Sequence, residues 1–169
     1  MNLVDEILSD WSIQRPDIDC SGKAIVCRIL HCYSTFISTL EKSLKPFGIT
    51  PNVFSVLVTI RRKGADAEVT VKKILEEALV TSGAMSNLLN KLMDAGLITK
   101  RKGMGQEDER STYVKLTAKG LALIDRAMEV QAASERRLTE NLTNPEKKQL
   151  AELLKKLLPE EHPYVENMQ

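Results

Sequence analysis

Aromatic side chains are scarce in this sequence of 169 residues, 4% in all with a single tryptophan. A core must therefore come from Leu, Val, Ile, Met and Ala, which suits packed helices. No apolar run approaches the ~20 residues that span a bilayer. The opening MNLVDEILSDW carries Asp and Glu in place of a basic start before an apolar segment. A cytoplasmic protein without membrane association is expected. Histidine occurs only as His31 and His162, and no Gly-rich phosphate loop, G-x-S-x-G or H-E-x-x-H is present. The acidic cluster Glu107, Asp108 and Glu109 falls on an expected loop tip, where no helix holds paired carboxylates at working distance. Neither an enzyme nor a cofactor is expected. The three cysteines, Cys20, Cys27 and Cys32, have spacings that match no zinc pattern, which argues against a metal site and against a disulfide framework. Lys and Arg number 24 against 23 Asp and Glu, a net +1. Such a balance excludes bulk coating of nucleic acid and leaves room for a local basic patch.

That patch lies between Thr81 and Gly120, where seven Lys and Arg meet four Asp and Glu. Ser82 or Thr81 can cap a helix whose apolar positions Met85, Leu88, Leu89, Leu92 and Met93 follow helical spacing, with Gly96 placed for a left-handed cap. The other face carries Ser82, Ala84, Ser86, Asn87, Asn90 and Lys91, short side chains with no carboxylate before Asp94. Such a face allows close approach to base edges and phosphates, as a recognition helix requires. Two β-prone runs follow, LITKRK and TYVKL, joined by GMGQEDERS, and read as a hairpin with a long tip. A guanidinium at such a tip gains from the negative potential of a narrow minor groove, and a nearby carboxylate fixes its rotamer.

The order helix, AGLI, basic strand, Asp108-Glu109-Arg110-Ser111 and Val114-Lys115-Leu116-Thr117-Ala118-Lys119-Gly120 resembles the MarR family of winged helix-turn-helix transcription regulators. The resemblance implies that Arg110 enters the minor groove and that Asp108 holds it. With Thr70, Ser82, Ala84, Ser86, Asn87, Lys91, Arg101 and Thr112, these residues form the expected DNA-contact set. The opening Trp11-Ser12-Ile13-Gln14-Arg15-Pro16-Asp17-Ile18-Asp19 is similar to that of a subgroup that includes urate-responsive repressors. That likeness implies a ligand pocket using Trp11, Arg15, Ser55 and Arg62. Ser55 stands where the subgroup has Asp and Leu88 where it has a second Arg, so a planar or aromatic anion other than urate is the expected effector. The alternative is that Trp11 is a hydrophobic anchor and Arg62 a surface charge. The resemblance also implies a second reading, a thiol sensor through Cys27 and Cys32 on the first long helix; the local chemistry equally allows small apolar residues on a helix face.

Taken in order, Asn2 can cap a short helix through Trp11, and a longer one runs from about Gly22 to Lys45 with Ile25, Ile29, Tyr33, Phe36, Leu40 and Leu44 as a stripe. Thr50-Pro51 opens the next helix, which ends at Arg61-Arg62-Lys63, a basic end that complements the helix dipole. A loop from Ala65 to Val69 leads to Thr70, which caps the first helix of a helix-turn-helix. Thr70, Lys72 and Lys73 there suit a phosphate or are simply solvated. Thr117 caps a long helix to about Asn141, and Asn144-Pro145-Glu146 starts another with Leu150, Leu153, Leu154, Leu157 and Leu158. Leucine stripes with nothing of their own to cover predict packing against a second copy of the chain.

The expected architecture is mainly α with a small β-hairpin wing. Residues 1–48 form N-terminal helices for dimerisation and one pocket wall, 49–120 the DNA-binding domain, and 121–169 further dimerisation helices. The function the resemblance implies is a homodimeric regulator of repressor type that binds a double-stranded operator and answers a small molecule. A protein-interaction module without DNA binding is the rival on the same fold.

Overall fold

Helix-start signals in the sequence are where the helices begin in the computed structural model, which describes residues 3–78, 82–103 and 111–158. Two compact units emerge, Met1–Leu40 and Glu41–Gln169. In the first, α1 (Leu3–Gln14) is followed by a turn, and Asp19 accepts the Ser21 amide at 2.8 Å to open α2 (Ser21–Leu44). Val4 is buried, Arg28 pairs with Asp5, and Lys23 lies over the Trp11 ring. Asn2, the expected cap of α1, lies outside the described residues. Of the predicted stripe on α2, Ile25, Ile29, Tyr33 and Phe36 are exposed.

The second unit takes in the last turn of α2, where Leu44 is fully buried. A 3-10 turn, Lys45–Phe47, and Gly48 at a φ of 66° end that helix, as Lys45-Pro46-Phe47-Gly48 predicts. The Thr50 side chain accepts the Val53 amide at 3.3 Å, and Pro51 at the first helical position opens α3 (Pro51–Arg61). Strand β1 (Val69–Thr70), α4 (Val71–Glu77), α5 (Ser82–Asp94), β2 (Ile98–Lys102), β3 (Thr112–Leu116), α6 (Ala118–Leu138) and α7 (Asn144–Lys155) complete the unit.

The sheet differs from the expected two-stranded hairpin. Val69 and Thr70, read from sequence as the end of a loop and a helix cap, also form a third strand, giving the order β1-β3-β2. Val69 pairs with Val114 and Thr70 with Tyr113, both antiparallel. Two residues are too few to show alternation, so local pattern could not reveal this strand. Ile98, Val114, Leu116 and Val69 meet Val56, Leu57 and Ile60 of α3, Ile74 of α4, Met85, Leu89 and Leu92 of α5 and Ile124 of α6 among the buried residues of this aliphatic core. Met93, placed on the apolar face by spacing, is 43% exposed.

At the start of α6, Thr117 is used three ways. Its hydroxyl donates to Gly96 O at 2.7 Å and accepts the Gly120 amide at 3.0 Å, while its own amide bonds to Leu97 O at 3.0 Å. Lys119 adds a bond from Nζ to Ala95 O at 2.8 Å. Gly120 faces the same strand end so closely that a Cβ there would lie 2.0 Å from Leu97 O. Farther along α6, Gln131 is buried and its amide oxygen accepts the Ser43 hydroxyl at 2.8 Å. Helix α7 starts at Asn144, as expected, and is capped by Thr143 in a full capping box with Glu146. It ends at Lys155, so Leu157 and Leu158 follow the helix and are not part of it.

Candidate nucleic-acid interface

The chemistry of α5 divides cleanly by face. Met85, Leu89 and Leu92 are buried, whereas Ser86, Asn87, Asn90 and Lys91 are exposed and no acid stands in the first turn. Amide dipoles at the start of the helix and short polar side chains along it favour a polyanion. Ser82 and Ala84 belong to the helix, but their side chains lie outside those described. Asp108 and Arg110, expected at the hairpin tip, lie outside the described residues altogether.

Strand register sorts the basic residues of the hairpin. Ile98 pairs with Leu116, Lys100 with Val114 and Lys102 with Thr112, so these six share one face, the face that also carries the buried core residues. Arg101 pairs with Tyr113 and Thr99 with Lys115 on the opposite face. Lys100, not singled out as a contact from sequence, thus points towards α5, where its Nζ donates to Asn90 Oδ1 at 2.7 Å. Alternation from Ile98 was the signal that could have found it. Between α5 and the strands lies a cleft of about 670 Å³ whose lining includes Thr70, Lys72, Ser86, Asn90, Lys100 and Thr112. Two cations and several hydroxyl or amide groups in one groove make a surface suited to phosphate and sugar. The Thr70 side chain meanwhile accepts the Lys73 amide at 3.2 Å, serving as the cap of α4.

Arg101 stands apart from this groove. Its Nε donates to Glu68 at 2.9 and 3.0 Å, its Nη2 also meets Glu68, and its guanidinium lies 4.5 Å from the Tyr113 ring centroid. The guanidinium holds the Glu68 carboxyl below the usual carboxylate range.

The basic end of α3 has specific partners and does more than offset a dipole. Arg61 donates to Asp125 of α6 at 2.6 Å, while Arg62 and Lys63 meet Glu77 of α4 at 2.5 and 2.8 Å. Lys73 adds a third cation to Glu77 at 3.1 Å. Lys63, then Lys73 and Arg62, draw the Glu77 pKa from 4.5 down to about 2. A depressed carboxylate pKa contributes stability that is present above the unfolded value and lost as pH falls through the folded one. The thermal midpoint of the wild type should therefore exceed that of Glu77→Gln at neutral pH, and the difference should close between pH 4.5 and about 2. Melting curves followed by circular dichroism across that range check this.

The expected ligand residues fall in different units. Trp11 and Arg15 belong to the first, and Ser55 and Arg62 to the second. Within its own unit Trp11 has Lys23 Nζ at 5.3 Å from the ring centroid and, with Ile7, Asp10 and Gln14, lines a hollow of about 220 Å³. Arg15 is spent in a fork on Asp17 at 2.8 and 2.6 Å. Ser55 is half-buried on α3, and Arg62 is held by Glu77. Cys27 is half-buried and Cys32 exposed on α2, with all three cysteines unbonded to one another. Among the described residues no cluster of His, Cys, Asp and Glu could hold a metal, and no helix is long and apolar enough to cross a membrane.

Comparison with known proteins fits this geometry. A sequence model of the MarR family matches residues 47–111. The multiple antibiotic resistance protein MarR of Salmonella typhimurium is 36% identical over 121 residues, 71% of this chain and 81% of that protein. The HTH-type transcriptional regulator PecS of Dickeya dadantii is 26% identical over 151 residues, covering 89% of this chain and 90% of its own. Among solved structures, a cysteine-to-serine mutant of E. coli MarR complexed with operator DNA superposes with a TM-score of 0.70 at 28% identity, over 84% of this chain and 99% of that one.

Proposed function

Since the chain belongs to the MarR family of transcription regulators, a family of regulators and not of enzymes, we propose that it is a homodimeric repressor that binds a pseudo-palindromic operator and is released by a small aromatic anion. The observation that carries the reading is the groove between α5 and the strands, which gathers Lys72 and Lys100 beside a helix with no carboxylate before Asp94 at its end. Each subunit would lay α5 in a major groove and the hairpin tip in the adjoining minor groove, with half-sites about one helical turn apart. Phosphate contacts supply the affinity that does not depend on sequence, so binding falls steeply with salt. For the effector, Trp11 offers a ring for stacking and Lys23 a cation beside it. In this arrangement Lys23 takes the part that sequence reasoning gave to Arg62, which Glu77 already occupies.

The test is a gel shift with the DNA flanking the gene, searched for an inverted repeat, over a series of salt concentrations and with phenolic and heteroaromatic acids as releasing agents. Replacement of Arg110 by Ala is expected to weaken binding by about 1–3 kcal/mol, roughly fivefold to 150-fold, if its guanidinium enters the groove. An unchanged dissociation constant at fixed salt would remove the wing from the interface.

A further inference from the structure

Three consecutive residues tie three parts of the DNA-binding unit together. Glu68 engages Arg101 of β2, Val69 pairs with Val114 of β3 in the core, and Thr70 caps α4. The middle tie is buried and the last is a helix cap, so β1 is fixed both to the sheet and to the helix-turn-helix. Glu68 adds a connection from that fixed point to the outer strand of the hairpin. Its geometry is not that of a loose surface pair. The Arg101 fork closes on one carboxylate, its Nη1 donates to Lys102 O at 3.3 Å, and its flat face rests on Tyr113, the residue opposite it in the strand register. Bidentate pairing together with aromatic stacking holds a guanidinium in one orientation. Arg101 also projects from the face of the sheet opposite to Lys100 and the groove. Nearby, Lys115 reaches Asp66 at 3.1 Å, but that carboxylate is 94% exposed and can anchor little.

We propose that Glu68 is a positioning residue for the wing: by holding Arg101 against Tyr113 on the outer face of the sheet, it fixes the direction of the β2–β3 arm relative to α4 and α5, and so the fit of the protein to its specific duplex. The proposal rests on the DNA-binding reading above. It assigns Arg101 to the support of the wing and not to contact with phosphate. Simple charge predicts the opposite consequence for Glu68, because deleting an acid from a DNA-binding unit strengthens attraction for a polyanion. The sign of the change therefore separates the two roles.

The experiment uses the full chain and a duplex that the wild type enriches from a random-sequence library, with an unrelated duplex as reference. Glu68→Ala, Glu68→Gln, Arg101→Ala and the exchange Glu68→Arg with Arg101→Glu are compared over a range of salt, each checked by its thermal midpoint. A paired exposed contact of this kind predicts that the three single variants bind the enriched duplex about threefold to fivefold more weakly. Glu68→Ala should bind the unrelated duplex as well as the wild type or better. Arg101→Ala should keep the wild-type salt slope, the exchange should recover most of the lost affinity, and midpoints should stay within about 4 °C. Tighter binding of both duplexes by Glu68→Ala would overturn the proposal. So would a salt slope lowered by about one phosphate in Arg101→Ala, or an exchange variant that stays as weak as the single ones. A wild type that enriches no duplex would overturn the DNA-binding reading, and this proposal with it.

Discussion

Gly120→Ala is expected to lower the thermal midpoint by about 6–12 °C, from a loss of about 3 kcal/mol in a chain of this size. The added Cβ would stand 2.0 Å from Leu97 O and 2.9 Å from Leu97 C, both backbone atoms in the turn that joins α5 to β2. Relief requires α6 to move away from that turn, which also pulls on the bonds from Thr117 to Gly96 and Leu97. Calorimetry or circular dichroism melting reads the loss. Gly22→Ala is the control, because nothing lies within 4 Å of a Cβ at that helical position. There the reduced freedom of the unfolded chain should hold the midpoint or raise it slightly. Equal midpoints for the two variants would mean that the approach of α6 to Leu97 is not tight.

The second large effect concerns α7. Leu150, Leu153 and Leu154 recur at helical spacing and are 40–51% exposed, and no residue of the helix is buried. Apolar stripes of this kind are covered in a stable protein, and a second copy of the chain is the partner proposed for it. Leu150→Glu combined with Leu154→Glu keeps helix propensity and leaves the Thr143–Glu146 capping box in place. The double variant should sediment as a single chain. Without two linked half-site contacts its affinity for an inverted repeat should fall by about a hundredfold or more. A double variant that remains a dimer would remove α7 from the assembly, and a monomer that binds as tightly as the wild type would remove the linkage of two half-sites.

What the sequence disclosed follows from how local each signal is. Thr50-Pro51, Thr117 and the glycines at 48 and 96 act within one turn of chain, and they stand in the structure where their chemistry put them. The division of α5 into a buried and a polar face was equally legible, apart from Met93 at its edge. Partners distant along the chain were not. Arg61, Arg62 and Lys63 read as a basic helix end, yet their carboxylates are Asp125 and Glu77, supplied by other helices. Arg101 read as a DNA contact because it is basic and near the wing. Its place on the outer face depends on strand register, and its pairing with Glu68 depends on a two-residue strand too short to leave a periodic trace. Asp108 and Arg110, the residues on which the resemblance leaned most, lie outside the described residues and keep the roles that the resemblance implies only as a proposal.

The bonds at the start of α6 have a mechanical result. Through Thr117, Lys119 and Gly120 the start of this helix is fastened to residues 95–97, the turn between α5 and β2. A helix of 21 residues is about 30 Å long, so a pivot of about 5° at one end swings the other by roughly 2.5 Å. Because α6 cannot slide at its fastened end, it acts as a stiff lever. A displacement of α6 near Gln131 is therefore expected to reach residues 95–97, next to the end of α5, as a rotation and not as a slide.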